Sequence, residues 1–408
     1  MMTTYQEFLA ELTDGRHRVD SLCNTFEECY GTRPTVAVSA PGRAEIIGNH
    51  TDHNNGRVVA AAITQDTVIV AGAVAPEGDD PASLQLHSEG WERDFVVGPG
   101  EPGHDTERLM LGVREGLRNS GLAAPGYRAC MTSSVLPGSG LSSSAALEIA
   151  LAGVHGALTG ETGEDIPPLR AALVGRFAEN HYMNKPSGLM DQLASALGGI
   201  HAIDFRDPEA PLTHRIEIDF SETNHKLMVV NTGGSHADLT DAYAAVSREM
   251  LSVARELGVS TLAETSRKEL FRNLSAVRAA TGDRAVMRAL HFFEEQDRVS
   301  AFVDAADSRS DHEILALMRE SGDSSIRLLQ NVHTGSARDQ SLALGLELTR
   351  TYLRQRGGTG AYRVHGGGFA GTMLVVMPED LFPEYRTAMQ RAFGDHAVVP
   401  LSIRPRGL

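Results

Sequence analysis

Hydrophobic residues recur along the chain at two spacings, which together predict a mixture of helices and strands. Over residues 5–30 the apolar positions follow helical spacing and predict one or two amphipathic helices. Residues 36–40 and 58–73 are rich in Val, Ile and Ala and predict buried strands, the first ending at Pro41-Gly42.

The same pattern continues to the end of the chain. It predicts strands at residues 126–134, 227–231, 361–364 and 372–376, helices at 141–150, 167–184 and 188–196, and a mainly helical region over 242–353. No internal repeat is visible. A change in composition at residues 204–211 predicts two lobes, 1–205 and 206–408, and a cleft between lobes is a common place for a site.

Composition narrows the possible functions. The chain has 408 residues and a formal net charge of -16, which argues against nucleic-acid binding because that requires clustered Lys and Arg. Its three cysteines have no C-x-x-C spacing, residues 1–19 do not resemble a secretory signal, and no uncharged apolar run approaches about 20 residues. We therefore expect a cytoplasmic protein with no membrane partner. The oligomeric state stays open.

A turn rich in Gly and Ser precedes one predicted helix and has the layout of an anion site. The sequence Leu-Pro-Gly-Ser-Gly-Leu-Ser-Ser-Ser-Ala-Ala occupies residues 136–146, between a predicted strand and the helix. Glycines let the backbone approach a phosphate, and the free N–H groups of a helix N-terminus favour its charge. The segment is neither a Walker motif nor a dinucleotide fingerprint. A plain Gly/Ser linker is the alternative.

Three further segments are candidates for a site, and the first of them carries the donors and acceptors that a polyhydroxylated ligand needs. Residues 41–56 read Pro-Gly-Arg-Ala-Glu-Ile-Ile-Gly-Asn-His-Thr-Asp-His-Asn-Asn-Gly, and the alternative is a polar loop with Asx turns. His50 and His53 lack a third ligand for a metal site. Asp191, in Gly-Leu-Met-Asp-Gln at the start of a predicted helix, could equally be a helix cap. A Gly-rich turn at 365–371 is weak evidence alone.

In this order, the segments resemble the GHMP family of small-molecule kinases and, within it, the galactokinases. Residues 42–56 are similar to the signature G-R-V-N-L-I-G-E-H-T-D-Y-N-x-G, residues 136–146 to the family's phosphate loop, and residues 363–372 to its third motif. The resemblance implies a two-lobed α+β fold with the active site in the cleft. It also implies ATP-dependent phosphorylation of the anomeric hydroxyl of galactose, with ATP as co-substrate and Mg²⁺ as cofactor.

The resemblance also implies roles for individual residues. Asp191 and Arg43 fall on catalytic positions, and Ser144 and Glu179 on metal positions. The sugar-contacting positions are Asn49, His50, Asp52, Gly188 and Tyr243. The ATP-binding positions are Pro137, Gly138, Ser139, Gly140, Leu141, Ser142, Ser143 and Ser144.

Two departures from the signature leave the identity of the sugar open. Asn49 stands where the signature has Glu, and His53 stands where it has Tyr. An amide both donates and accepts hydrogen bonds, so Asn49 is expected to change selectivity and to tolerate galacturonate. The alternatives are a kinase for galacturonate, N-acetylgalactosamine or L-arabinose, or a sugar-sensing regulator. Arg43 and Asp191 argue against a regulator, which has no chemical need of them.

Overall fold

The computed structural model describes residues 9, 12–74, 83–98, 101–135, 138, 140–159, 166–185, 187–234, 240–369 and 371–408. The first part of the chain contains α1 (Gly15–Tyr30), β1 (Val36–Ile47), β2 (Arg57–Ala73), β3 (Leu84–Ser88), β4 (Phe95–Val97), α2 (Asp105–Asn119), β5 (Tyr127–Ser133), α3 (Ser143–Thr159), α4 (Pro168–Tyr182), α5 (Met190–Leu197), β6 (Ile200–Asp204) and β7 (Leu212–Ile216). The second part contains β8 (His225–Asn231), α6 (Thr240–Glu256), α7 (Arg267–Arg272), α8 (Leu274–Thr281), α9 (Asp283–Asp307), α10 (Asp311–Ser324), α11 (Ser341–Arg354), β9 (Ala361–Val364), β10 (Thr372–Pro378), α12 (Phe382–Phe393) and β11 (Val398–Leu401).

The long strand β2 organises the first sheet, which has seven strands among the described residues. Strand β1 pairs antiparallel with β2 over most of its length, so β5 and β6 pair with opposite ends of the other edge of β2. The order across the sheet is β4-β3-β5-β2-β6-β7, with β3 and β5 parallel. Apolar side chains of α2, α3 and α4 cover this sheet and form the core of the N-terminal lobe.

The second sheet is antiparallel, in the order β11-β8-β10-β9, and forms the C-terminal lobe with α11 and α12. A separate cluster contains Ile63 of the first sheet, Leu374 of the second, and Phe302 of α9. The two lobes therefore share a continuous apolar core, which fixes the cleft between them.

The end of β1 differs from the sequence-based expectation. The prediction that this strand stops at Pro41-Gly42 is wrong, because β1 continues to Ile47. The pairing with β2 shifts between Pro41 and Arg43 and again between Glu45 and Ile47, so bulges absorb the proline. Between the bulges the pairing is regular, and Arg43 and Glu45 therefore project from the same face.

The expected division near residue 205 stays a prediction, and two observations bear on where the lobes meet. The first sheet extends beyond that point to Ile216. Residues 402–408 return to the N-terminal lobe, where Ile403 pairs with Ile63 and the Leu408 N–H donates to the Ala196 carbonyl. No helix in the described parts of the chain combines the length and apolar character needed to cross a bilayer.

Candidate active site in the cleft between the lobes

Charged and polar residues from both lobes line one cavity. The lining residues are Arg43, Glu45, Asn49, His50, Asp52, His53, Glu179, Lys185, Ser187, Gly188, Met190, Asp191, Gln192, Tyr243, Gly366 and Gly367. All the residues that the resemblance places on the sugar or in catalysis are therefore brought together here. The predicted phosphate loop adjoins this cavity, while its Pro137 and Ser139 lie outside the described residues.

A bidentate ion pair lies at the centre of the site. Arg43 donates from Nε to Oδ1 of Asp191 at 2.8 Å and from Nη2 to Oδ2 at 2.9 Å. Burial alone would raise the pKa of Asp191, but Arg43, the Ser142 hydroxyl and Lys185 outweigh it and hold that pKa below its usual value. Asp191 therefore stays ionised at neutral pH and can accept a hydrogen bond from a substrate hydroxyl.

The described part of the phosphate loop meets this ion pair at the N-terminus of α3. Ser142, with φ 59°, donates its hydroxyl to Asp191. Gly140 has φ 72°, its carbonyl accepts from Arg43 Nη1 at 2.5 Å, and a Cβ there would lie 2.3 Å from Thr372 Oγ1. Only glycine fits this close approach. The first turn of α3 can thus offer free N–H groups to an anion beside Asp191.

Ser144 and Glu179 form an oxygen pair next to the loop. Ser144 Oγ donates to Glu179 Oε1 at 2.9 Å, a separation that adjacent ligands of an octahedral Mg²⁺ show when each metal–oxygen distance is about 2.1 Å. Within the described residues, no cluster of three or more His, Cys, Asp or Glu could hold a metal. The two oxygens could therefore both be ligands of a Mg²⁺ ion.

Behind this oxygen pair, a network of hydrogen bonds holds Glu179 in place. Lys185 Nζ donates to its Oε1 at 2.5 Å, and Gln192 Nε2 donates to its Oε2 at 3.1 Å. The same Gln192 nitrogen donates to Glu148 Oε2 at 3.0 Å. Burial, and then the Glu179 charge, raise the pKa of Glu148 well above its ordinary value. The protonated form of Glu148 is therefore favoured.

The opposite wall carries the residues expected to contact a sugar. Burial lowers the pKa of His50 to about 3, so its ring is neutral; Nε2 donates to the Gly367 carbonyl at 2.9 Å and Nδ1 is left as an acceptor. Asp52 packs so closely against Gly188 that a Cβ at that position would lie 2.0 Å from Asp52 Oδ2. The Tyr243 ring centroid lies 5.2 Å from that of His50.

Asn49 lies at the cavity wall, but its side chain is already engaged. The nitrogen donates to the Glu45 carboxylate at 3.0 and 3.2 Å and to the Gly366 carbonyl at 2.7 Å, and the oxygen accepts from Asn331 at 2.8 Å. Asn49 is fully buried. The expectation that this amide is free to donate to a substrate therefore needs correction, because both of its hydrogens have acceptors within the protein.

Helix α9, from the second part of the chain, holds the backbone of this wall. Glu295 Oε1 accepts from the Gly48 N–H at 2.9 Å, and His291 Nε2 donates to the Asn49 carbonyl at 2.9 Å. Gln296 Oε1 accepts from the Arg57 N–H at 2.7 Å. Residues 48–57 are therefore oriented by a helix that lies about 240 residues further along the chain.

Comparison with known proteins agrees with this geometry. A model of the galactokinase galactose-binding signature matches residues 24–73, and a model of the GHMP kinase N-terminal domain matches residues 108–199. Human galactokinase is 31% identical over 391 residues, covering 92% of each chain. Mycobacterium tuberculosis galactokinase is 30% identical over 370 residues, covering 88% of this chain and 93% of the relative. The chain belongs to the galactokinase family.

Solved structures show the same fold for this galactokinase-family chain. Lactococcus lactis galactokinase complexed with galactose superposes with a TM-score of 0.79, covering 96% of this chain and 100% of that one at 21% identity. Methanococcus jannaschii mevalonate kinase gives a TM-score of 0.60 at 15% identity, covering 90% and 98%. The expected two-lobed α+β architecture of the GHMP kinases is thereby confirmed.

Sequence reasoning missed the residues that hold the site together. Four of them, Glu45, Lys185, His291 and Asn331, contact predicted site residues, and Glu295 contacts Gly48, the neighbour of Asn49. Glu45 carried a readable signal, since it departs from the signature inside the quoted motif. The others lie in segments with no motif. His291, Glu295 and Asn331 also contact residues more than 240 positions away in the chain, which leaves no local pattern.

Proposed function

We propose that this chain transfers the γ-phosphoryl group of ATP to the anomeric hydroxyl of galactose, giving galactose 1-phosphate and ADP. The observation that carries the proposal is the Arg43–Asp191 ion pair, which lines the cavity between the lobes and is contacted by Ser142 of the phosphate loop. Family membership supports a sugar kinase with ATP as co-substrate. The low number of cysteines and the use of ATP favour the cytoplasm as its location.

In the proposed mechanism, Asp191 accepts a hydrogen bond from the anomeric hydroxyl and orients its oxygen toward the γ-phosphorus. The bond from that oxygen to phosphorus forms as the bond between the γ-phosphorus and the β,γ-bridging oxygen breaks. Because the pKa of Asp191 lies below its usual value, Asp191 is a weak base. The proton therefore passes from the hydroxyl to the Asp191 carboxylate late, after bonding to phosphorus has acidified the hydroxyl. Arg43 neutralises charge on the transferring group and keeps Asp191 ionised.

The remaining roles follow the geometry of the two walls. Ser144 and Glu179 would hold Mg²⁺, which when bound neutralises phosphate charge. The N-terminus of α3 and the loop ending at Ser144 would receive the ATP phosphates. On the other wall His50 Nδ1 and the Asp52 carboxylate would accept from sugar hydroxyls, with Gly188 and Tyr243 shaping the space.

The test is a panel of free sugars incubated with ATP and MgCl₂, with ADP release and loss of the reducing end measured in parallel. Phosphorylation at the anomeric carbon removes the reducing end, so both signals should appear together with galactose. ADP release without loss of the reducing end would place the phosphoryl group on another hydroxyl. Galactose binding without turnover would favour the regulator instead.

A further inference from the structure

The galactokinase signature and this chain differ at two positions that mirror each other. Counted along the signature, Glu45 stands where the signature has Asn, and Asn49 stands where it has Glu. The two substitutions together leave one carboxylate and one amide, so the local charge is unchanged. An exchange of this kind is meaningful only if the two side chains meet, and they do: Asn49 Nδ2 lies 3.0 Å from Glu45 Oε1 and 3.2 Å from Oε2.

The Asn49 amide is saturated by protein groups. Its hydrogens face the Glu45 carboxylate and the Gly366 carbonyl, and its oxygen accepts from Asn331 Nδ2. Flipping the amide would set its oxygen against two acceptors, so these partners fix its orientation. Asn49 therefore holds Glu45 and the 366–367 turn in position and has no donor left for a substrate.

The Glu45 carboxylate is anchored on one oxygen and open on the other. Oε1 accepts from Arg363 Nη2 at 2.7 Å and from Asn49, and Arg363 Nη1 also donates to the Glu45 carbonyl at 3.0 Å. Among the described residues, Oε2 accepts only the longer, shared contact from Asn49. A carboxylate oxygen can accept two hydrogen bonds. Glu45 lines the cavity, so this spare capacity is available to a ligand there.

We infer that Glu45 supplies the carboxylate that accepts from a sugar hydroxyl on this wall, while Asn49 is a positioning residue. The inference rests on the proposed sugar kinase activity and names a specificity-determining residue for it. It reverses the expectation, drawn from Asn49 alone, that galacturonate is tolerated. Because a carboxylate is still present, paired with buried Arg363, an anionic sugar such as galacturonate meets like charge in the cavity and is rejected.

The first experiment uses the unaltered protein and measures kcat/KM and calorimetric binding for galactose and galacturonate. We expect galacturonate to be poorer by roughly 100-fold or more, since its carboxylate adds repulsion with Glu45 in the same cavity. If Glu45 contacts the hydroxyl at the sixth carbon, a charge-assisted hydrogen bond is lost as well. Equal use or equal binding of the two sugars overturns the inference. Absence of turnover with every sugar counts against the proposed function instead, and the binding ratio still decides the role of Glu45.

The second experiment replaces Glu45 by Gln, which keeps an acceptor for Arg363, with Glu222→Gln on the exposed surface as the matched control. We expect the KM for galactose to rise roughly 10- to 150-fold in Glu45→Gln and not in the control. The unaltered protein and Glu45→Gln are then compared on each monodeoxygalactose. The sugar whose KM is the same for both proteins lacks the hydroxyl that Glu45 contacts. A KM within twofold of the unaltered protein for every sugar contradicts the inference.

The third experiment tests the exchange itself with Glu45→Asn, Asn49→Glu and the double variant. Asn49→Glu places two carboxylates side by side, and Glu45→Asn leaves Arg363 without its carboxylate, so each should lose at least 10-fold in kcat/KM. The double variant should recover to within about fivefold of the unaltered protein. If it is no more active than the poorer single variant, the two positions are not exchanged and the inference fails.

Discussion

At the scale of single residues, the site depends on how the charge of Asp191 is maintained inside the protein. Arg43 is almost fully buried and contacts both carboxylate oxygens, and Ser142 adds a third donor. Removing a buried charge from water is costly unless it is paired and hydrogen-bonded. The same three donors therefore make the ionised carboxylate stable and limit how strongly it can act as a base.

Replacing Asp191 by Asn should abolish turnover while leaving nucleotide binding nearly unchanged. Asn keeps the size and one acceptor for Arg43 but loses the charge that orients the hydroxyl, so kcat should fall about 100-fold or more. Steady-state kinetics and titration with an ATP analogue measure the two effects, with Asp219→Asn on the surface as control. An unchanged kcat would reduce Asp191 to a helix cap.

Replacing Ser142 should shift the acid limb of the pH–rate profile to higher pH. The Ser142 hydroxyl is one of the groups that lower the pKa of Asp191, so its loss raises that pKa and Asp191 becomes protonated at a higher pH. By linkage, a lowered pKa contributes stability that is present above the unfolded-state pKa and is lost as pH falls through the folded-state value. Both the pH–rate profile and acid unfolding should therefore move upward.

Two variants separate this effect from backbone strain. Ser142 has φ 59°, where glycine is favoured, so Ser142→Gly relieves strain and Ser142→Ala does not. Both should show the same shift in the pH–rate profile, whereas Ser142→Ala should be less stable to denaturant. A profile that moves in one variant only would tie the effect to the backbone and not to the hydrogen bond.

At the scale of helices and strands, the sequence pattern predicted which elements carry the motifs. It was less accurate about where those elements begin and end. The strand before the phosphate loop and the helix carrying Asp191 match expectation within about two residues. The helix after the loop also begins within two residues of expectation, but it continues to Thr159, well beyond the predicted end at residue 150. The predicted β1 was too short because a proline such as Pro41 normally stops strand pairing. The bulges that accommodate Pro41 are visible only in the folded structure. Strand β11 was missed because Pro400 interrupts its apolar run, although it pairs at the sheet edge.

Helix α9 shows why part of the site could not be predicted. Its residues His291, Glu295 and Gln296 belong to an ordinary helical pattern, and nothing local marks them as partners of residues 48–57. Their function arises only when the C-terminal lobe packs against β2. The motifs thus predicted which side chains face the ligand, whereas the groups that orient them required the fold.

His291 provides a test of this support. His291→Leu removes the donor to the buried Asn49 carbonyl, and leaving that group unsatisfied should cost about 1–3 kcal/mol of unfolding free energy and raise the KM for sugar. His291→Gln keeps a donor on a side chain of similar reach and should recover part of both losses. Denaturant unfolding and sugar kinetics are the measurements. Equal behaviour of Leu and Gln would show that the hydrogen bond does not matter.

At the scale of the whole molecule, residues 402–408 connect the two lobes. Residues 402–408 leave β11 of the C-terminal lobe and lie along the N-terminal lobe, where the Thr64 N–H donates to the Ser402 carbonyl and the Arg404 N–H to the Ala62 carbonyl. The sequence pattern placed this tail in the second lobe because it follows that lobe in the chain. Only the contacts in the folded protein show that it returns across the expected boundary.

Arg404 links residues 402–408 to the N-terminal lobe, so we expect its replacement to lower the free energy of unfolding. It is buried and donates to Ser39 Oγ at 2.7 Å and to the fully buried Asp66 carboxylate at 3.3 Å, which Arg18 of α1 also contacts at 2.7 Å. Arg404→Met and Arg18→Met each remove one cation from Asp66, and each should cost up to about 3 kcal/mol of unfolding free energy. Only Arg404 belongs to the returning tail.

The two variants should therefore differ in cooperativity. Trp91 is the one tryptophan of the chain and lies in the N-terminal lobe beside Phe95, so its fluorescence follows that lobe, while far-ultraviolet circular dichroism follows the helices of the whole chain. The two signals should change at the same urea concentration in the unaltered protein and in Arg18→Met. In Arg404→Met the fluorescence transition should come first, because the N-terminal lobe has lost its link to the other. Coincident transitions in all three proteins would show that the shared apolar core, and not the tail, couples the lobes.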